Sequence, residues 1–443
     1  MMVNSNGGDE MKKDRAKARW SILRNALLQK AQSSNEHSIH RFAGYQLLEP
    51  TTASEGTTNE GYKILEGALK LHAFDDQLSL DKNLDRLEFK VYALAAFHPN
   101  GKCLDIAKVP SSVSTELIGK LKERCQSVVH LLVVDDKNPP EKITILVQES
   151  SKTLTKYTCR QYKLDESCSL FTREPFETKL SIQDLVSHRT TGVDNTGNIC
   201  VWDSERTLSF LLYHHLDAFL SLFKNCNGIR SARRILELGT GMAGLAAIAL
   251  GLRLVQDNSE ASSSTRIDVT LTDGHAEGVK NNDVNQVLTK AFCSENSKHP
   301  YHSLSIETNC LLWTTELESS LPEQQDVVLI SDCVHFQNFH AALVATTLRS
   351  LCVGGIALFC QPKRGDSLDN FVSLLACVGD NDLVSIKWIQ HSAIEEAHEN
   401  ASSQHNDVYD ENLHYPKLLA VTKLRDLTIE DCQRFEDHQK SRN

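Results

Sequence analysis

Residues 234–250 constrain the fold of this chain more than any other stretch of the sequence. The apolar run at 235–238 is typical of the end of a buried strand, and an Ala/Leu/Ile-rich run further on predicts the start of a helix. Between them lie Gly239, Gly241 and Gly244. A strand, a glycine turn and a helix N-terminus together let the backbone approach a ligand closely and point free N–H groups at it. The sequence therefore predicts a ligand site at this turn.

The spacing of the three glycines also fits the Gly-x-Gly-x-x-Gly fingerprint of dinucleotide-binding proteins. Glu237 argues against a dinucleotide, because a carboxylate two residues before the first glycine would repel the pyrophosphate. A carboxylate there suits a ligand with a cationic end, and S-adenosylmethionine carries a sulfonium and an α-ammonium but no phosphate. We therefore favour S-adenosylmethionine over NAD as the cofactor, and also over a turn that binds no ligand.

Charge and composition exclude several classes of protein. A net charge of −11 argues against a general nucleic-acid binder, because phosphate binding needs a basic face. The 13 cysteines include no Cys-x-x-Cys pair, which indicates reduced thiols rather than a disulfide framework or a zinc site. The longest apolar run, at 242–250, is too short to span a bilayer, and the N-terminus has no apolar signal core. We expect no metal, nucleic acid or membrane, and a location in the cytoplasm and also the nucleus.

Two segments precede the predicted core. Residues 1–60 combine a basic amphipathic helix over 11–30 with a polar linker. That helix either docks on an acidic partner or, as we favour from its pattern, packs on the core with its basic face in solvent. Residues 61–187 predict an extra α+β segment, with a strand over 128–134 and a short helix over 114–126. This segment carries no catalytic constellation.

From residue 188 onward, predicted strands alternate with predicted helices. The strands fall at 233–238, 267–272, 326–330, 356–360, 383–389 and 418–422. This alternation predicts an α/β fold, a mostly parallel sheet with helices on both faces, and the last two strands indicate an antiparallel hairpin at its edge. We expect the core to span 188–425 and residues 426–443 to form a polar tail.

Three strands of the predicted sheet end in groups suited to a ligand, at the carboxyl ends where ligands bind. The turn from Gly239 to Gly241 would lie beside the methionine part of the cofactor. Asp273 ends the second strand, where a carboxylate can accept hydrogen bonds from both ribose hydroxyls. Asp332 ends the strand nearest the transferred methyl group. For each aspartate the alternative is a helix cap.

A carboxylate at Asp332 suits the methylation of a lysine side chain. The lysine pKa is about 10.4, so exposing the neutral amine at pH 7 costs roughly 4.6 kcal/mol. A nearby carboxylate can orient the amine and pass its proton to water, while the sulfonium and desolvation lower the pKa of the amine. In-line displacement then needs mainly positioning. Candidate aromatic walls around the adenine or the amine are Trp202, Trp313, Phe336 and Tyr415.

Several stretches resemble the calmodulin-lysine N-methyltransferase family and occur in the same order. The most specific are Asn-Thr-Gly-Asn at 195–198 with Trp202, Pro-Lys-Arg-Gly at 362–365, and Asn-Leu-His-Tyr-Pro at 412–416. The resemblance covers residues 16–48 and about 190–423. It implies a Rossmann-like methyltransferase with a seven-strand sheet, which uses S-adenosylmethionine to trimethylate one lysine of calmodulin. We expect this enzyme to be a monomer.

The resemblance also implies roles for individual residues. In related protein-lysine methyltransferases, the cofactor is contacted by the counterparts of Trp202, Gly239, Thr240, Gly241, Asp273, Trp313 and Ser331. The counterpart of Asp332 begins an Asp-x-x-Tyr/Phe motif that faces the substrate lysine. Here the third residue after Asp332 is His335, followed by Phe336, so either ring fills the aromatic place. Asp332, His335 and Phe336 are therefore the candidate catalytic residues.

Two alternative functions stay open at this point. The first is an enzyme of the same fold that methylates another protein. The second is a weakly active, methyltransferase-fold binding module, in which His335 marks lost activity and residues 75–180 bind the partner. An acidic substrate would fit the basic helix over 11–30, which strengthens the alternative that this helix docks on the partner.

Overall fold

The architecture comes from a computed structural model. It describes residues 47–48, 50–52, 63–70, 90–97, 128–135, 138–146, 155–166, 168–175, 197, 200–219, 234–259, 266–293, 300–317, 324–379, 382–404 and 409–442. The helices predicted over 11–30 and 114–126 lie outside the described residues.

The extra segment contributes an antiparallel sheet of seven strands. They are β1 (Pro50–Thr52), β2 (Lys63–Lys70), β3 (Lys90–Phe97), β4 (Val128–Asp135), β5 (Asn138–Leu146), β6 (Thr155–Lys163) and β7 (Ser169–Pro175). The order is β1-β6-β2-β3-β4-β5, and β7 pairs with the other edge of β6. β1 lies within the stretch predicted as a linker, because residues 50–52 pair with residues 160–162 of β6.

A second sheet of seven strands forms the core. Its strands are β8 (Arg234–Leu238), β9 (Ile267–Asp273), β10 (Leu304–Cys310), β11 (Gln325–Ser331), β12 (Leu351–Pro362), β13 (Val384–Ile389) and β14 (Pro416–Lys423). The order is β10-β9-β8-β11-β12-β14-β13; the first five strands are parallel, and β14 runs antiparallel to both neighbours. This topology confirms the predicted Rossmann-like seven-strand fold with an antiparallel edge hairpin. β10 was not predicted, because this edge strand has no fully buried position and its sequence shows no buried run.

Helices cover both faces of the core sheet. They are α1 (Asp203–His214), α2 (Leu216–Phe219), α3 (Leu245–Ser259), α4 (Ala276–Cys293), α5 (His340–Ser350), α6 (Ser367–Gly379), α7 (Ser392–Gln404), α8 (Glu411–His414) and α9 (Ile429–Arg442). Successive residues of a strand point to opposite faces. Val327 and Leu329 of β11 therefore pack in the hydrophobic cluster that contains α1 and α3, while Val328 and Ile330 pack in the cluster that contains α5 and α6. None of the helices among the described residues is long and apolar enough to cross a membrane.

The C-terminal residues 426–443, predicted as a polar tail, contain helix α9 instead. Cys432 and Phe435 of this helix are buried in the same cluster as α5 and α6. The helix was missed because its apolar residues form one narrow stripe, Ile429, Cys432 and Phe435, within an otherwise polar sequence. It therefore belongs to the packed core.

A carboxylate in the first turn of α9, that of Asp431, makes the stability of the folded protein depend on pH. Asp431 accepts hydrogen bonds from both Arg425 Nη atoms (2.7 and 3.0 Å) and from the Thr428 N–H (2.9 Å). The Arg425 guanidinium is the main reason that the pKa of Asp431 falls to about 2. Because the folded pKa lies below the unfolded value, this stabilisation is complete above about pH 4 and is lost as pH falls towards 2.

We therefore expect Asp431→Asn to unfold at a lower temperature than the parent at pH 7, and the gap between their unfolding temperatures to narrow on acidification. Thermal unfolding of both proteins between pH 7 and pH 3 measures this. A gap that stays constant across the range would show that the charge of Asp431 is not the stabilising element.

Candidate active site

A cavity of about 290 Å³ lies at the carboxyl ends of β8, β9 and β11. Of the predicted site residues, those that line it are Trp202, Gly239, Thr240, Gly241, Asp273, Trp313, Ser331, Asp332, His335 and Phe336. Glu237 does not line the cavity. Sequence reasoning missed further lining residues, among them Glu205, Leu312 and Phe339.

The glycine turn has a backbone that only glycine adopts without strain. Gly239 and Gly241 have φ values of +72° and +54°. A Cβ at Gly239 would lie 2.6 Å from Cys333 Sγ, and a Cβ at Gly241 would lie 2.5 Å from the Gly197 carbonyl oxygen. Both glycines are therefore required by close packing as well as by backbone conformation. This explains why the glycine pattern alone was enough to predict the turn from the sequence.

Asp273 connects the end of β9 to this turn. Its Oδ2 accepts a hydrogen bond from the Gly241 N–H (2.8 Å), and its Oδ1 accepts one from the His275 N–H (2.7 Å). Burial raises the pKa of Asp273, and the two N–H donors oppose that shift. The alternative, a cap of α4, does not apply, because His275 Nδ1 accepts from the Glu277 N–H in the first turn (3.1 Å). Asp273 fixes the turn while still lining the cavity.

Two buried glutamates lie under the N-terminus of α3. Glu205 Oε1 accepts from the Ala246 N–H (2.6 Å), and Glu237 Oε2 accepts from the Ala247 N–H (2.8 Å). Burial raises the pKa of both carboxyls, and the neighbouring Glu205 carboxyl raises the pKa of Glu237 further. Only Glu205 reaches the cavity. The acidic group predicted at Glu237 is thus supplied to the cavity by Glu205, one helical turn after Trp202.

Asp332 lies at the end of β11 with φ +53° and is only 7% exposed. Its carboxylate accepts from Arg364 Nε (2.8 Å) and Nη2 (2.5 Å), so it does not act as a helix cap. The same guanidinium lies 5.4 Å from the centre of the Trp202 ring. Asn412 holds the Arg364 turn by accepting from the Arg364 N–H (2.7 Å) and the Gly365 N–H (3.0 Å). Arg364 was not predicted as a site residue, because only the fold brings it to Asp332.

The rings of His335 and Phe336 lie together beside Asp332. Their centroids are 3.7 Å apart, and His335 Nδ1 lies 2.8 Å from the Asp332 carbonyl oxygen. Both rings line the cavity, so the two alternatives for the aromatic place are not exclusive. Tyr415, another predicted wall, instead borders a separate cavity with Trp388.

The chemistry of the lining fits a cationic ligand without phosphate. Glu205, Asp273 and Asp332 supply carboxylates, and Trp202 and Trp313 supply flat apolar surface. Among the described residues that line the cavity there is no lysine or arginine to bind a pyrophosphate. The described part of the chain also contains no group of three His, Cys, Asp or Glu side chains arranged for a metal ion. The three carboxylates favour S-adenosylmethionine over a dinucleotide, because they attract a cationic ligand and repel a pyrophosphate.

Comparison with known proteins gives a match in the same region. Residues 183–378 match the family described as lysine methyltransferase. The calmodulin-lysine N-methyltransferase of Arabidopsis thaliana is 25% identical over 282 residues, which cover 62% of this chain and 81% of that relative.

Two solved structures resemble the chain more distantly. The plantazolicin methyltransferase BpumL in complex with SAH is 13% identical, with a TM-score of 0.30, over 50% of this chain and 88% of that one. An rRNA methylase from Streptococcus thermophilus is 11% identical, with a TM-score of 0.28, over 48% and 97%. Scores this low add nothing to what the sheet topology already shows.

Proposed function

We propose that this chain transfers methyl groups from S-adenosylmethionine to the side-chain amine of one lysine in calmodulin, since residues 183–378 match the lysine methyltransferase family. The family match supports a methyltransferase core in this part of the chain, with S-adenosylmethionine as its methyl donor. Calmodulin as the substrate is supported by similarity to the Arabidopsis enzyme. The main observation behind the proposal is that Asp332 lines the same cavity as the glycine turn. Its carboxylate is held there by two hydrogen bonds from Arg364.

The residues that would hold the cofactor are those at the three strand ends. When bound, S-adenosylmethionine supplies an electrophilic methyl group on a sulfonium. The turn Gly239–Gly241 and Glu205 would receive the methionine part, and Asp273 would receive the ribose hydroxyls. Trp313, which packs against Gly239, would form a wall of the same cavity.

Asp332, His335 and Phe336 would receive the substrate lysine. The two adjacent rings give the amine an aromatic wall, and the carboxylate orients it for in-line attack on the methyl group. Because Arg364 already balances the charge of Asp332, the carboxylate does not hold the lysine strongly as an ammonium. The nearby guanidinium also disfavours a second positive charge, so the proton leaves to water and the neutral amine becomes the nucleophile.

Mass spectrometry of unmethylated calmodulin tests the proposal directly. After incubation with this protein and S-adenosylmethionine, we expect a gain of up to three methyl groups, with peptide mapping that places them on one lysine. A parallel calorimetric titration with S-adenosylmethionine measures cofactor binding. Cofactor binding without any mass gain on calmodulin would overturn the substrate assignment and favour another protein substrate or a binding module.

Arg364→Lys tests the role assigned to the guanidinium. Lysine keeps the charge but cannot hold both oxygens of the Asp332 carboxylate, so we expect kcat to fall about tenfold with cofactor affinity unchanged. Lys363→Arg is the matched control, because Lys363 pairs with Asp369 in solvent rather than with the cavity. Equal kcat values for Arg364→Lys and the parent would remove Arg364 from the positioning of Asp332.

A further inference from the structure

The hairpin β6–β7 of the first sheet is bonded to helix α4 of the core. The Phe171 N–H donates to Thr289 Oγ1 (3.0 Å), and the Arg173 N–H donates to Asn285 Oδ1 (2.9 Å). Arg173 Nε donates to Asn281 Oδ1 (2.7 Å). The three helix residues lie four positions apart and so share one face of α4. The extra segment thus meets the core along a row of buried polar contacts.

The same asparagines also hold the cofactor turn. Asn285 Nδ2 donates to the Met242 carbonyl oxygen (2.8 Å), and Asn281 Nδ2 donates to Met242 Sδ (3.1 Å). Met242 directly follows Gly241, whose N–H is bound to Asp273. Each amide therefore bridges the hairpin, through its oxygen, and the glycine turn, through its nitrogen.

The hairpin decides which way these amides face. An amide flip at Asn285 would set its Nδ2 donor against the Arg173 N–H and its oxygen against the Met242 carbonyl. At Asn281, a flip would place the Nδ2 donor where Oδ1 now accepts from Arg173 Nε, so that two donors would face each other. Both asparagines are nearly inaccessible to water, at 4% and 6% exposure, so such clashes would not be relieved by solvent. The donors of Arg173 hence fix both Nδ2 groups on Met242.

We propose that Arg173 is a positioning residue for the cofactor turn, and that the β6–β7 hairpin thereby sets the affinity for S-adenosylmethionine. The inference rests on the proposed function, since it concerns the same cofactor site. It gives the extra segment a role in the enzyme although none of the described residues of β6 or β7 lines the cavity.

Three variants of the full chain test this proposal. Arg173→Met keeps the aliphatic stem and removes the Nε donor. Asn285→Asp keeps an acceptor for the Arg173 N–H and removes the donor to Met242. Thr289→Val is the matched control, because Thr289 bonds the hairpin at Phe171 rather than the glycine turn. Thermal unfolding of each variant shows whether it is folded.

Calorimetry with S-adenosylmethionine is the deciding measurement. We expect Kd to rise about five- to tenfold in Arg173→Met and Asn285→Asp, to stay within about twofold in Thr289→Val, and kcat at saturating cofactor to change little. If Arg173→Met does not fold, Asn285→Asp decides alone. Folded variants with a parental Kd would overturn the proposal, as would an equal rise in Thr289→Val, which would reflect hairpin docking in general. A parent chain that binds no S-adenosylmethionine would instead contradict the proposed function.

Discussion

Asp332→Asn is expected to lower kcat for lysine methylation about 100-fold, the loss expected when the amine is no longer held in line with the methyl group. The amide is nearly isosteric and tolerates the left-handed backbone that Asp332 adopts, at φ +53°. It still offers one oxygen to Arg364 but loses the negative charge that orients the amine. Cofactor affinity should stay within about threefold, because Asp332 is not one of the groups assigned to the methionine or the ribose.

Single-turnover methylation with calorimetry in parallel separates these two quantities. Asp382→Asn is the matched control, since Asp382 has almost the same backbone conformation, φ +54°, at an exposed position away from the cavity. The control should retain parental turnover. Near-parental kcat in Asp332→Asn would remove this carboxylate from the mechanism, whatever the cofactor affinity.

The core sheet and its glycine turn were predictable because their signals are local. Buried parallel strands are near-continuous apolar runs, since successive residues pack on the two faces, as residues 327–330 do. Gly239 and Gly241 are forced by positive φ and by neighbours that leave no room for a Cβ. Elements without such a signal were missed, including the half-exposed strand β10 and the narrow apolar stripe of α9.

The residues that support the predicted site residues were harder to predict, because they lie far away in the sequence and meet only in the folded structure. Arg364, which binds the Asp332 carboxylate, lies 32 positions after it in the sequence. Asn412, which holds the Arg364 backbone, lies a further 48 positions along the chain. Glu205 carried a weaker local signal: it lies one helical turn after Trp202, so a carboxylate on the same face could have been expected. The direction of the Glu237 side chain could not be predicted, because the fold turns it toward the Ala247 N–H under the helix.

Gly241→Ala is expected to have the largest effect on cofactor binding. The added Cβ would meet the Gly197 carbonyl oxygen at 2.5 Å and the Gly197 Cα at 3.1 Å, both backbone atoms that cannot rotate away. The turn must then shift, and the shift breaks the hydrogen bond from the Gly241 N–H to Asp273. We expect Kd for S-adenosylmethionine to rise about 100-fold, equivalent to roughly 2.7 kcal/mol.

Gly365→Ala separates this clash from the cost of the backbone conformation itself. Gly365 also has a positive φ, +69°, but a Cβ there would meet nothing within 4 Å. Both variants should lose about 1 kcal/mol of stability from the left-handed conformation, and only Gly241→Ala should lose more and lose the cofactor. Thermal unfolding and calorimetry of the pair give the comparison. Similar Kd values for the two variants would mean that the close approach of Gly197 to Gly241 does not shape the cofactor site, because backbone strain alone would then account for the effect.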